Sequence, residues 1–210
     1  MNAAPATQGS GQVLFMLPGA QMTAEHMAQE GLLTLAREHR PALTVIPLNL
    51  RQQGVFDESA LQSLETDVLS PARERYQAVW LGGISMGGLL SLAYMASRLG
   101  RVDGLCLLAP YPGSRLTLNA IDNAGGLDAW RPTAAQLEDP EFRIWHWLNT
   151  TIPELPVFIG HGEQDRFASG IQRVARCLRG AQTAQVPGGH DWDAWRALWT
   201  RFLHGGLLKD

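Results

Sequence analysis

Three residues in this 210-residue chain are of the right type and order to carry out nucleophilic chemistry. Ser85 stands in Gly83-Ile84-Ser85-Met86-Gly87-Gly88, between the apolar run AVWLGG and the helix-like LLSLAYMASRLG. A serine on a tight strand-to-helix turn needs small neighbours, because the backbone is strained there and the helix packs close to the strand. Gly83, Gly87 and Gly88 meet that need. The turn also puts the hydroxyl at a helix N-terminus, where unpaired N–H groups favour developing negative charge. The bland alternative is a glycine-rich turn in which Ser85 is an N-cap.

A serine hydroxyl is a poor nucleophile at neutral pH and needs a base within hydrogen-bond reach, itself oriented by a carboxylate. Two later apolar runs lead into GHGEQDRF and VPGGHDWDAW, which offer Asp165 and His190. The chain order Ser, Asp, His, each just after a strand-like run, is the order such a turn requires. Of the other histidines, His161 precedes Asp165 and reads as a packed, hydrogen-bonded turn residue. His26 reads as a helix-surface residue, and His39, His146 and His204 as peripheral. Among the acids, Asp122 and Asp128 fall in an irregular segment and Asp103 at the start of a strand. Asp191 and Asp193 follow His190 too closely to orient it, although Asp191 suits the N-cap of the last helix.

The elements that must hold these residues are legible as alternating patterns. Apolar runs at 13–17, 43–50, 78–83, 104–109, 156–160 and 181–186 suit strands buried on both faces of a parallel sheet, the last being polar enough for an edge. Between them, AEHMAQEGLLTLAREH places Met27, Leu32, Leu35 and Ala36 on one helical face. ALQSLETDVLSPARERY does the same with Leu61, Leu64 and Val68. Gly100 reads as the stop of the helix that follows Ser85. Such alternation predicts an α/β fold with helices on both faces of the sheet. In a parallel sheet of this kind ligands bind outside the carboxyl ends of the strands. One interval departs from the pattern: residues 111–155 are far longer than a crossover needs, and Pro140 breaks or restarts a helix within them. This reads as a lid-like insertion. Trp192, Trp195 and Trp199, with Phe202, recur at the spacing of a buried helix face.

Composition bounds the class. The chain is 45% hydrophobic and 18% charged with net charge -3, and no linker interrupts 1–210, so a single domain without a nucleic-acid partner is expected. Of 17 Lys and Arg residues only Lys209 is a lysine, and the arginines read as solvated helix faces. Cys106 and Cys177 have neither a metal-ligand spacing nor a disulfide framework, so no metal or cofactor is expected. The segment MNAAPATQGSGQ lacks a basic start before a long apolar region, and VLFML is too short for a signal peptide or a membrane span. A cytoplasmic location is the expectation; oligomeric state is not readable.

On the GxSxG turn and the later Asp165 and His190, the sequence from Val13 to Phe202 resembles a small member of the α/β-hydrolase superfamily. The resemblance implies Ser85 as nucleophile, His190 as base and Asp165 as its orienting acid. It also implies a compact six-stranded core of order 2-1-3-4-5-6, without the two leading strands of the full fold. In LPGAQM, Pro18 replaces the histidine common in relatives while Gly19 matches, so Ala20 is the expected oxyanion-hole donor beside the N–H of Met86, with Gln21 next in line. In LNLRQQGVF the chain keeps Arg51 and Gly54 but has Asn49 where relatives often carry an acid. Gln21, Tyr111, Trp130 and Trp145 are the candidate substrate contacts, the tryptophans either as part of an apolar lid or as ordinary packing within the insertion.

The function so implied is a carboxylesterase- or thioesterase-like serine hydrolase acting on a small acyl ester or thioester through an acyl-enzyme intermediate. Two alternatives stand beside it: a non-ester reaction on the same scaffold (perhydrolysis, lyase chemistry or carbon-carbon bond hydrolysis), and a non-catalytic ligand-binding module.

Overall fold

The computed structural model describes residues 9–49 and 58–208. Arg51, Gly54 and Lys209 lie outside the described residues.

Six strands form one sheet: β1 (Gly9–Leu17), β2 (Leu43–Pro47), β3 (Tyr76–Ile84), β4 (Gly104–Leu108), β5 (Val157–Gly162) and β6 (Gln182–Val186). Their order is β2-β1-β3-β4-β5-β6 and every neighbouring pair is parallel. All six expected strands are present in the expected order. The physical reason they were legible is burial. Val13 to Leu17, Val79 to Ile84 and all of β4 and β5 are buried on both faces, so each is a continuous apolar run. The edge strands differ as edges should, with β6 alternating buried and exposed positions and β2 buried fully only at Leu43.

Between the strands lie α1 (Ala24–Gln29), α2 (Leu32–His39), α3 (Glu58–Ser63), a π-helical turn (Leu64–Leu69), α4 (Ser70–Arg75) and α5 (Met86–Ser97). The insertion carries α6 (Arg115–Asn123), α7 (Ala134–Glu138) and α8 (Pro140–Thr150), and α9 (Ala168–Cys177) and α10 (Trp192–His204) complete the chain. Two expected helices are more broken than their periodicity suggests. Gly31, at φ 88, divides α1 from α2, and a π turn joins α3 to α4. The helix after Ser85 ends on Arg98 in the left-handed region, two residues before Gly100.

Helices α1, α2 and α10 form one layer. Arg196 of α10 pairs with Glu30, the Trp199 indole donates to the Leu32 carbonyl at 3.0 Å, and Arg40 Nε donates to the Leu203 carbonyl at 2.8 Å. Helix α5 lies on the opposite face and is buried on most sides, because α8 covers it from outside. There the Tyr94 hydroxyl donates to Glu65 at 2.6 Å and Glu65 pairs with Arg73, so the π turn is tied to α5 by a satisfied polar network. Burial pushes the Tyr94 hydroxyl well above its ordinary pKa, with Glu65 adding to the effect, so it remains a donor.

The insertion is built as its prolines and acids suggest. Asp139 caps α8 by accepting from Glu141 N–H, and Pro140 occupies the first turn, where its missing N–H costs nothing. Glu141 then reaches back to accept from Ser114 N–H at 2.7 Å and from Thr117 Oγ1 at 2.8 Å, closing the insertion on itself.

Candidate active site

All strands being parallel, their carboxyl ends share one edge of the sheet, and the chain leaves β1, β3, β5 and β6 there. Ser85 follows β3 directly, at φ 51 and ψ -112, a conformation that side-chain-bearing residues rarely adopt. The glycines around it are there for space. A Cβ on Gly83 would lie 2.1 Å from the Gly87 carbonyl carbon, and one on Gly88 would lie 2.6 Å from Pro110 Cβ.

Ser85 occupies the N-cap position of α5, yet its side chain makes no capping hydrogen bond. Its Oγ lies 2.8 Å from His190 Nε2. His190 Nδ1 in turn lies 2.8 Å from Asp165 Oδ2, and the Asp165 side chain is wholly buried. Asp165 Oδ1 accepts from Phe167 N–H at 2.8 Å, which fixes the carboxylate plane. An ionised Asp165 can only accept, so Nδ1 carries the imidazole proton and Nε2 is left to accept from the serine hydroxyl. Ser85 therefore makes no capping bond and stands in a three-residue hydrogen-bond relay drawn from three strand exits.

The loop carrying His190 is held from one side by Asp191. Its carboxylate accepts from Ala194 N–H at 3.0 Å, capping α10, and from Gly189 N–H at 2.8 Å. These backbone bonds hold its pKa below the usual value. A carboxylate with a lowered folded pKa adds stability above its unfolded pKa and loses it as pH falls through the folded one. Asp191→Ala is expected to cost about 1 kcal/mol in urea unfolding at pH 7. The difference from wild type should shrink as pH drops below about 4, and a pH-independent difference would refute the assignment.

The β1 exit adjoins this relay. A Cβ on Gly19 would sit 3.5 Å from the Ile84 carbonyl oxygen and 3.6 Å from Ser85 Cβ. Met22 N–H donates to the Gly19 carbonyl at 3.2 Å, closing a turn in which Gln21 takes φ 58. The N–H groups of Ala20, Gln21 and Met86 have no acceptor among the described residues. Asn49, the departure noted after β2, accepts from Ala24 N–H at 2.7 Å and so ties down the start of α1 beside this turn.

Tyr111 is brought to the site: its N–H donates to the Ser85 carbonyl at 2.9 Å and its ring packs edge-on to Phe167. Burial, then the nearby Glu141, raises the pKa of its hydroxyl. Trp130 and Trp145 pack inside the insertion. They are 2% and 1% exposed, Trp130 stacked on Phe142 and Trp145 donating its indole N–H to the Pro112 carbonyl at 2.9 Å. Trp145 braces the segment that carries Tyr111, and Pro112 seats on Gly170, where a Cβ would meet it at 2.5 Å.

Two residues at the site are missed by periodicity. Phe167 and Trp195 contact the His190 ring edge to face, with centroids 5.0 and 5.2 Å away. Trp195 reads as core from its spacing on α10, and it is buried, but its partner is the imidazole. Trp192 continues this aromatic row to His26 on α1. His161 is buried, donating from Nδ1 to the Gly162 carbonyl at 2.8 Å while Nε2 faces the amides of Gln172 and Gln185, which suits a packed, hydrogen-bonded turn residue. His39 and His204 pair with each other on the surface. Among the described residues, no group of three or more His, Cys, Asp or Glu could hold a metal ion, and no helix is long and apolar enough to cross a membrane.

A parallel sheet of this order, with a serine on the sharp turn after its third strand, is the α/β-hydrolase fold, and solved structures similar to this one include hydrolases and esterases. FphF, a fluorophosphonate-binding serine hydrolase of Staphylococcus aureus, superposes with a TM-score of 0.71 at 16% identity, covering 99% of this chain and 88% of its own. An S-formylglutathione hydrolase from Agrobacterium tumefaciens gives 0.66 at 14% identity, covering 96% and 85%. Est1E from Butyrivibrio proteoclasticus gives 0.62 at 16%, covering 95% and 87%. No family model and no curated protein matches the chain.

Proposed function

We propose that this protein is a serine hydrolase that cleaves a carboxylic ester or thioester, with Ser85 as nucleophile, His190 as general base and acid, and Asp165 as the group that orients the imidazole and stabilises its positive charge. The observation that carries the reading is the unbroken pair of 2.8 Å contacts from Ser85 Oγ through His190 to a buried carboxylate. The hydrolase and esterase names of the similar structures agree with it.

In this reading Ser85 Oγ attacks the acyl carbon as its proton passes to His190 Nε2, and Asp165 stabilises the resulting imidazolium. Negative charge on the former carbonyl oxygen is met by the N–H groups of Met86 and Ala20, each worth about 10²- to 10³-fold in kcat for such sites. The imidazolium then protonates the departing alkoxide or thiolate. Water repeats the sequence, losing its proton to Nε2 and releasing the carboxylic acid and free Ser85. Phe167 and Trp195 shield the imidazole from bulk water, which strengthens its bond to Asp165.

A fluorophosphonate probe tests the reading directly. It should label wild type at Ser85 and leave Ser85→Ala unlabelled, with His190→Ala labelled far more slowly. A folded wild type that resists the probe and turns over no short p-nitrophenyl ester or acyl thioester would overturn it.

A further inference from the structure

A second concave site lies away from the serine. The insertion and α9 enclose a cavity of about 480 Å³, within the usual size range of small-ligand pockets. Its accessible apolar lining is the half-buried Leu127 and the exposed Ile152, one of three large hydrophobic residues exposed among those described, backed by the buried Ile121, Trp145 and Leu148. The facing wall comes from α9 and the turn after it: Arg173, Arg176 and Arg179.

The arginines of this segment read from sequence as a solvated helix face, and the structure separates them. Arg173 pairs with Asp122. The guanidinium groups of Arg176 and Arg179 have no ion pair or hydrogen bond among the described residues. One further carboxylate, Asp128, lines the cavity, so two unpaired cations face one anion across an apolar cleft. The guanidinium fork matches a carboxylate in two parallel hydrogen bonds, and its flat face tolerates an adjoining apolar surface.

We propose that this cavity binds a small organic carboxylate, its apolar body against Leu127 and Ile152 and its carboxylate on Arg176 and Arg179. The proposal stands independently of the reading made at Ser85. Cys177, which also lines the cavity, takes no covalent part: burial pushes its thiol above the ordinary pKa despite the neighbouring Arg176.

Calorimetric titration of the whole protein with benzoate and hexanoate tests this, with benzyl alcohol as the neutral counterpart and inorganic phosphate as the competing anion. Benzoate or hexanoate should bind, benzyl alcohol should not, and Arg176→Gln/Arg179→Gln should weaken carboxylate binding by about tenfold or more. The two side chains are exposed, and circular dichroism will show the variant folded. Three outcomes overturn the proposal: no carboxylate binding by wild type, equal binding by the double variant, or binding of phosphate without binding of either carboxylate. Because the double variant leaves Ser85, His190 and Asp165 untouched, carboxylate held at those residues would survive the substitution and count against the cavity.

Discussion

Ser85→Ala is expected to reduce kcat on p-nitrophenyl acetate by about 10⁴-fold or more, leaving only what the oxyanion donors and binding supply. The size of the effect follows from what the substitution removes. In the proposed mechanism no acyl-enzyme forms without Oγ, and His190 Nε2 faces a methyl group where it had a hydroxyl at 2.8 Å. Asp165→Asn provides the companion measurement. The amide is nearly the same shape, but its NH₂ group cannot accept, so the imidazole turns its acceptor nitrogen towards the new amide and its proton towards Ser85. A loss of about 10⁴-fold in kcat is expected from that change of tautomer alone. The double variant should be no worse than Ser85→Ala, because residues that act as one unit are not additive. Additive losses would show that Ser85 and Asp165 act separately.

The contrast between these residues and their surroundings shows what the sequence could reveal. Ser85, Asp165 and His190 each stand just past a strand-like run, so both the strand and its exit are local features. Phe167 stands in plain view two residues after Asp165, yet nothing local says its ring faces the imidazole. That depends on β5 and β6 being neighbours in register, Gly162 opposite Val186. Trp195 carries the opposite lesson. Its helical spacing announces burial, and burial is what it has, but spacing cannot distinguish an aliphatic neighbour from His190. Trp130 and Trp145 look available to substrate because they lie in an insertion. The insertion has a core of its own, pinned by Glu141 across 24 to 27 residues, and the tryptophans fill it. The cavity beside α9 is least legible of all: Arg176 and Arg179 read as surface charge until Trp145 and Leu148, from a separate helix earlier in the chain, are placed opposite them.

Gly87→Ala should produce a large loss of stability from a single added methyl group. The added Cβ would lie 2.2 Å from the Leu17 carbonyl oxygen, 2.6 Å from its carbon and 2.7 Å from the Pro18 oxygen. Every obstacle is main chain, so no side-chain rotamer can relieve the overlap. Moving β1 away is costly as well, because Leu17 is in register with Gly83 and the Gly19 turn next to Ser85 would move with it. Overpacking of a side chain by a methylene costs about 1–3 kcal/mol. A clash with fixed backbone should exceed that, so unfolding in urea should show a loss above about 3 kcal/mol, or no folded protein. Gly31→Ala separates this from a mere backbone preference. Gly31 sits at φ 88 with nothing within 4 Å of a Cβ, so it should lose only the cost of a left-handed residue, about 1–2 kcal/mol. Gly87 has an ordinary helical backbone that any residue can adopt, so a loss there no larger than at Gly31 would mean that the contact between the β1 exit and the start of α5 is easily relieved. A Gly87→Ala protein within about 1 kcal/mol of wild type would show that the serine turn does not depend on that contact at all.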